Sequence, residues 1–297
     1  MSFASITDYL EYIFDEFNAE ISGMDTLCDL RNVSFESGNL PDYNNRAQAL
    51  LYCLRYHFGY AFEYDYMFRE DILPLYKEYL INILSVGCGN GIDYWAIRHA
   101  ADRRPQSLLQ VNYIGIDCVN WDEKMESTGK DSVEYHHSYV KESKAILDNI
   151  PRIDVLFFPK SISELDRTDL SYLADLIQEK NNIICLAASF RNNKPEDVAK
   201  FDFLVECFER YGFSVYNGQK NMLYQFENNA GIRSYYNEYI YPDEAKDFLA
   251  NLNGFCNERD ESDNICAYEC DGALSRTPIL TNSQVCFNFV IFSRRSK

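Results

Sequence analysis

Ile81-Asn82-Ile83-Leu84-Ser85-Val86-Gly87-Cys88-Gly89-Asn90-Gly91-Ile92 is the stretch that decides the fold. The apolar run Ile83 to Val86 has the length and composition of a buried parallel strand. It stops at the glycines, and a helical pattern begins at once with Ile92, Tyr94, Trp95 and Ile97. The order is strand, glycine loop, helix. Glycine reaches φ > 0 without steric cost, and without Cβ the backbone can approach a ligand. The helix behind it offers free N–H groups and partial positive charge. Such a corner holds a carboxylate, a phosphate or a ribose. A glycine cluster is also what a plain tight turn uses, so the neighbouring strands must decide.

A second apolar strand, Val111 to Ile116, ends in Asp117. An acid at that tip is placed to accept hydrogen bonds from both hydroxyls of a ribose. A third run, Ile153 to Phe158, stops at Pro159. Ser132–Ser138, Ile183–Ala188, Phe213–Tyr216 and Val285–Phe292 also read as strands. Helical patterns at 92–102, 139–149, 170–180 and 195–210 fall among them, with a short helix at Asp122–Ser127. This alternation predicts a mostly parallel, doubly wound sheet. Right-handed crossovers gather the strands' carboxyl ends on one edge, where ligands bind. Gly87–Gly91, Asp117, Ser138 and Pro159–Ser161 converge there.

In Ser85-Val86-Gly87-Cys88-Gly89-Asn90-Gly91, Gly115-Ile116-Asp117 and Asp154-Val155-Leu156-Phe157-Phe158 the chain resembles the class I S-adenosylmethionine (SAM)-dependent methyltransferases. The resemblance covers residues 81 to 216 and a last strand at 285–292, not the first 80 residues or 217–284. It implies an α/β fold with a doubly wound, mostly parallel, seven-stranded Rossmann-like sheet whose last strand is antiparallel. It implies SAM as cofactor and methyl transfer to a small molecule or a protein side chain. On this reading Gly87, Cys88, Gly89, Asn90 and Gly91 pass beneath the methionine and ribose. Asp117 holds the ribose, Cys118 or Val119 packs on adenine, and His137 and Ser138 lie near the adenine edge. Pro159 stiffens the turn that faces the methyl group. Lys160, Glu164 and Tyr60 are candidate bases for an acceptor that carries a proton. Ser161 followed by Glu164 also spells the capping box of a helix start.

The expected organisation is an N-terminal helical extension or lid at 1–80 and a SAM-binding catalytic domain at 81–297. Residues 217–284 form an insertion in that domain, a candidate substrate-specificity element; Leu223–Phe226 and Tyr239–Tyr241 read as strands within it. The extension reads as helices at 4–19 and 45–66, a loop at 22–44 and a short helix at 69–78. Tyr56, Tyr60 and Tyr64 recur every four residues and share one helix face. An aromatic face attracts a sulfonium cation, though helix packing uses the same stripe.

Two alternatives stand beside the methyltransferase. A nicotinamide-dependent oxidoreductase would want glycine at position 92 to complete G-x-G-x-x-G, and Ile92 stands there. A SAM-binding domain without catalysis, acting as an interaction partner, shares the same loop. Asp and Glu outnumber Lys and Arg by 46 to 28, a net charge of −18. That balance argues against a nucleic-acid partner. So does Phe158-Pro159-Lys160-Ser161, which stands where enzymes methylating base amino groups carry Asp or Asn before Pro-Pro and an aromatic. No metal is expected: Cys256, Cys266 and Cys270 lack paired C-x2-C spacing. No G-x-S-x-G elbow or P-loop occurs. No apolar run is long enough to span a membrane. Met1–Phe14 reads as an acidic amphipathic segment rather than a secretion signal, and several cysteines sit in buried-strand patterns, so a reduced cytoplasmic protein is expected. The sequence sets no oligomeric state and names no acceptor.

Overall fold

The computed structural model describes residues 1–24, 27, 30, 33, 42–103, 108–180, 183–192, 194–252 and 276–294. Most of the expected 22–44 loop and the three cysteines Cys256, Cys266 and Cys270 lie outside the described residues.

Among the described residues eight strands form one sheet. They are β1 (Leu80–Val86), β2 (Gln110–Asp117), β3 (Ser132–His137), β4 (Val155–Pro159), β5 (Ile183–Ser189), β6 (Phe213–Gly218), β7 (Tyr224–Gln225) and β8 (Cys286–Arg294). The order is β3-β2-β1-β4-β5-β8-β6, with the two-residue β7 also on β8. β1 to β5 are parallel, and β8 runs antiparallel between β5 and β6. The doubly wound sheet with an antiparallel last strand is therefore as expected, with β7 added. The chain builds outward from β1 to β3, then returns to place β4 on the other side of β1. The reversal between β1 and β4 opens a crevice beyond their carboxyl ends.

The burial of each strand follows from its residues. β4 is continuously apolar and buried apart from its terminal Pro159, as a central parallel strand must be. β3 is an edge strand with no fully buried residue. Leu84, Val86, Leu156, Phe158, Ile184 and Leu186 share one core with helices α5 (Arg167–Ile177) and α6 (Pro195–Arg210). Pro195 occupies the first turn of α6, where its missing N–H costs nothing. α3 (Ile92–Asp102) springs directly from Gly91. α4 (Lys144–Asp148) is a single short helix after a 3-10 turn, in place of the longer one expected. Asp122–Ser127 is not helical, and Tyr239–Tyr241 is not a strand.

By internal contacts the chain forms two compact units. One holds Met1–Ser2, Tyr60–Asn229 and Asn282–Lys297, and so the whole sheet; the other holds Phe3–Gly59 and Ala230–Thr281. In the second, α1 (Ile6–Ser22) starts with a capping box of Ser5 and Asp8. Its apolar stripe sets Phe14 and Phe17 edge-on to Phe248 of α7 (Asp243–Ala250). The Tyr9 hydroxyl lies 2.6 Å from His57 Nδ1. Burial lowers the His57 pKa to about 3, so the ring is neutral where it meets that hydroxyl. Helix α2 (Arg46–Tyr66) enters this unit at Arg46, which pairs with Glu16 and Glu20. In place of the short helix expected at 69–78 stand a π-helical turn, Met67–Ile72, and a 3-10 turn, Leu73–Leu75, and 76–78 are not helical.

Candidate functional site

Three glycines shape the corner after β1. Gly87, Gly89 and Gly91 have φ of 71°, 58° and 90°. These left-handed values disfavour any residue with a Cβ. A Cβ on Gly87 would overlap the Ser161 side chain, and one on Gly91 would overlap the Tyr135 hydroxyl. Gly89 is different: its Cβ would meet the Trp121 ring at 3.8 Å, an ordinary contact. Gly87 and Gly91 are therefore needed for packing as well as for turning.

The loop meets β2 at its acid. The Gly89 N–H donates to Asp117 Oδ2 at 2.7 Å, and the Val119 N–H donates to Oδ1 at 2.8 Å. Two of roughly four acceptor positions on the carboxylate are thus taken by backbone. Burial raises the Asp117 pKa, against the two N–H donors, the Trp121 side chain and His137, which all lower it. A carboxylate pinned by loop and turn, with acceptor positions remaining, suits a diol.

A cavity of about 430 Å³ opens beside this contact. It is bounded by Gly87 and Asp117 of the loop and β2, Ser138 past β3, and Ser161 and Glu164 past β4. Val86, Ile116, Val140 and Leu165 supply apolar wall. That volume lies in the range of small-ligand sites. A groove of about 490 Å³ flanks β1 to β3, lined by Asn82, Asn112, Glu134 and Arg152, away from the glycine loop. The smaller cavity has the chemistry.

The expected site residues separate as follows. Gly87, Asp117, Cys118, Ser138 and Glu164 line the cavity. Cys88 is buried beneath the loop, its Sγ 2.6 Å from where a Gly115 Cβ would stand. Asn90 is buried and its carbonyl accepts from the Met125 N–H at 2.9 Å. His137 pairs with Asp117 in the β2–β3 register and sets Nε2 2.9 Å from the Cys118 carbonyl oxygen. Pro159 ends β4 opposite Ser189 of β5.

Ser161 is not a helix cap. Its hydroxyl donates to the Val86 carbonyl at the end of β1. The short 3-10 turn Ile162–Glu164 follows without side-chain capping, and the capping box belongs to Asp166 and Asp169 at the start of α5. Ser161 is drawn to β1 because Gly87 leaves room for it.

Lys160 is spent elsewhere. Its backbone is left-handed, with φ of 59°. Its Nζ lies 2.7 Å from Glu63 Oε2 and donates to the carbonyls of Phe190 at 2.6 Å and Gln284 at 3.1 Å. The other Glu63 oxygen accepts from the Ser189 hydroxyl at 2.6 Å and the Cys286 N–H at 3.2 Å. An ammonium held by three oxygens does not take a proton from a substrate. Tyr60 sits under the same ammonium, which is 5.5 Å from the ring centroid, and beside Tyr64. Tyr64 is fully buried edge-on to Phe157. Only Glu164 of the three candidate bases reaches the cavity. Although its side chain is accessible, surrounding atoms and the Asp117 charge raise its pKa.

Sequence reading missed two groups. Trp121 covers Gly89, and an aromatic four residues after the acid was the available signal. Asp93, in the first turn of α3, is fully buried and accepts from Ser85 Oγ at 2.6 Å and the Tyr113 hydroxyl at 2.8 Å. Burial raises its pKa to about 6 despite those donors.

No family model and no curated protein matches the chain. Among solved structures it is similar to the plantazolicin methyltransferase BpumL in complex with SAH. The identity is 13%, covering 97% of this chain and 100% of that one, with a TM-score of 0.44. A cyclopropane-fatty-acyl-phospholipid synthase-like protein from Lactobacillus casei gives 13%, 97% and 100%, with a TM-score of 0.40. The CurJ carbon methyltransferase gives 11%, 97% and 70%, also with a TM-score of 0.40.

Proposed function

We propose that this protein is a SAM-dependent methyltransferase acting on a small molecule or a protein side chain. The observation that carries the reading is the direct bond between the Gly89 N–H and the carboxylate of Asp117, a residue that lines the 430 Å³ cavity. It joins a bare-backbone turn ahead of a helix to a carboxylate, which supports a role for that carboxylate in holding a ribose.

The residues present fit the cofactor. Gly87 and Gly91 already touch neighbouring side chains, so the loop is shaped by packing before any ligand arrives. Asp117 has acceptor positions for ribose hydroxyls, and the apolar wall of Ile116, Val140 and Leu165 suits a flat base. SAM, when bound, supplies a methyl group on a sulfonium, electrophilic enough to move by in-line displacement. Asp117 would hold the sugar through its hydroxyls, and the glycine loop would lie beneath it. Positioning of this kind provides much of the acceleration. For an acceptor that must lose a proton, Glu164 is the one of the three candidate bases that lines the cavity, and its raised pKa makes it a better base. Acceptors that need no base remain equally served. A cytoplasmic setting follows from the cysteine usage of the sequence.

The test is calorimetry with S-adenosylhomocysteine (SAH) on the wild type and on Asp117→Ala. The wild type binds. The variant stays folded and binds more weakly by about 1–3 kcal/mol, the range for a hydrogen bond to a charged group. Equal affinity in the two proteins would remove Asp117 from the site and the reading with it.

A further inference from the structure

Asp117 borders the cavity, whereas Gly89 and Trp121 are not among its lining residues. The Asp117 carboxylate accepts from the Gly89 N–H, and Trp121 packs on Gly89. Trp121 is buried, with 7% of its surface exposed. Its Cε2 and Cζ2 stand 3.8 and 3.9 Å from where a Gly89 Cβ would be. Cε2 is bonded to the indole nitrogen. The Nε1–H is buried, and the side chain favours the ionised form of Asp117. The segment that carries Trp121 is itself tied to the loop, because the Met125 N–H donates to the Asn90 carbonyl at 2.9 Å. Trp121 thus packs on the donor of the Gly89–Asp117 bond and reaches its acceptor.

We propose that Trp121 is a positioning residue, holding the Asp117 carboxylate against Gly89 so that its remaining acceptor positions face the ribose diol of the cofactor. The inference rests on the cofactor reading above. Without the indole, Asp117 keeps its two backbone donors, but Gly89, one of those donors, loses the ring packed against it. The N–H adds a second effect. A donor to the carboxylate lowers its pKa, so its removal raises that pKa. The ionised acid accepts the ribose hydroxyls, so affinity falls as pH drops through the Asp117 pKa. In a variant lacking the donor this fall begins at higher pH.

The experiment measures SAH affinity between pH 5 and 8 for the wild type and Trp121→Phe, which keeps a ring and loses the N–H. The variant is expected to bind about tenfold more weakly at pH 7, with its acid limb about one pH unit higher. A second measurement uses Trp95→Phe, which leaves Trp121 as the only indole of the two in the chain. Its fluorescence is expected to shift when SAH is added. Wild-type affinity in Trp121→Phe, or a loss uniform across pH, would show a merely structural role and overturn the proposal. If Trp121→Phe does not fold, a silent indole in Trp95→Phe overturns it and a responsive one supports it. A wild type that does not bind SAH brings down the cofactor reading and this inference together; a binding wild type with an unaltered variant brings down only the inference.

Discussion

Asp93 shows how a single buried acid links the loop to stability. It is fully buried beneath the glycine corner and shares hydrogen bonds with Ser85 and Tyr113. Its pKa rises from 3.8 to about 6 on folding. A raised carboxyl pKa means that the folded state holds more protons than the unfolded state between those values. Stability therefore falls as pH climbs from 4 to 6, by about 3 kcal/mol from this group. Asp93→Asn has no such titration. Urea midpoints for the two proteins at pH 4, 5, 6 and 7 are expected to show a slope in the wild type that the variant lacks over that window. Parallel curves would assign the slope to other buried acids such as Asp117 or Glu63, both of which are also raised.

Between elements, a buried tie at the sheet's carboxyl edge is the Glu63–Lys160 pair, which joins α2 to the ends of β4, β5 and β8. Neither side chain reaches solvent to any extent: Glu63 is at 0% and Lys160 at 7%. Burial pushes the Glu63 pKa up, and Lys160 is the largest force holding it down. A pair of this type contributes little net stability, but breaking it leaves one charge without its partner. Glu63→Ala is expected to cost about 3–5 kcal/mol, and Glu63→Met with Lys160→Met to recover most of that. Denaturant titration of both decides it; a single variant as mild as the double would mean the ammonium finds another acceptor. Lys160 carries φ of 59° at this tie, a strain of about 1–3 kcal/mol that persists only where neighbours fix it. Those neighbours are the same three oxygens.

At the scale of the molecule, what matters is which ligand stabilises the fold. SAH at one hundred times its dissociation constant is expected to add about 2.7 kcal/mol, a rise in Tm of several degrees. NAD is expected to add nothing, since Ile92 is buried where the dinucleotide fingerprint wants glycine. Thermal unfolding with each ligand separates them, and stabilisation by NAD alone would turn the reading toward the oxidoreductase. Among the described residues no helix is long and apolar enough to cross a membrane.

Read on its own, the sequence determined the alternation of strands and helices, the glycine corner after β1 and the acid after β2. These are local facts: residue type sets φ, periodicity sets the element, and element order sets a wound sheet. It also placed Asp117 beside the loop, because parallel neighbours bring successive strand ends together. Only the tertiary structure decided where side chains went. Lys160 and Ser161 are adjacent in sequence, yet one turns to Glu63 and the other to Val86. That choice depends on partners far along the chain. Burial made the same kind of decision for Asp93, raising the pKa of a residue that reads as an ordinary first-turn acid, because the cost of a charge depends on what surrounds it.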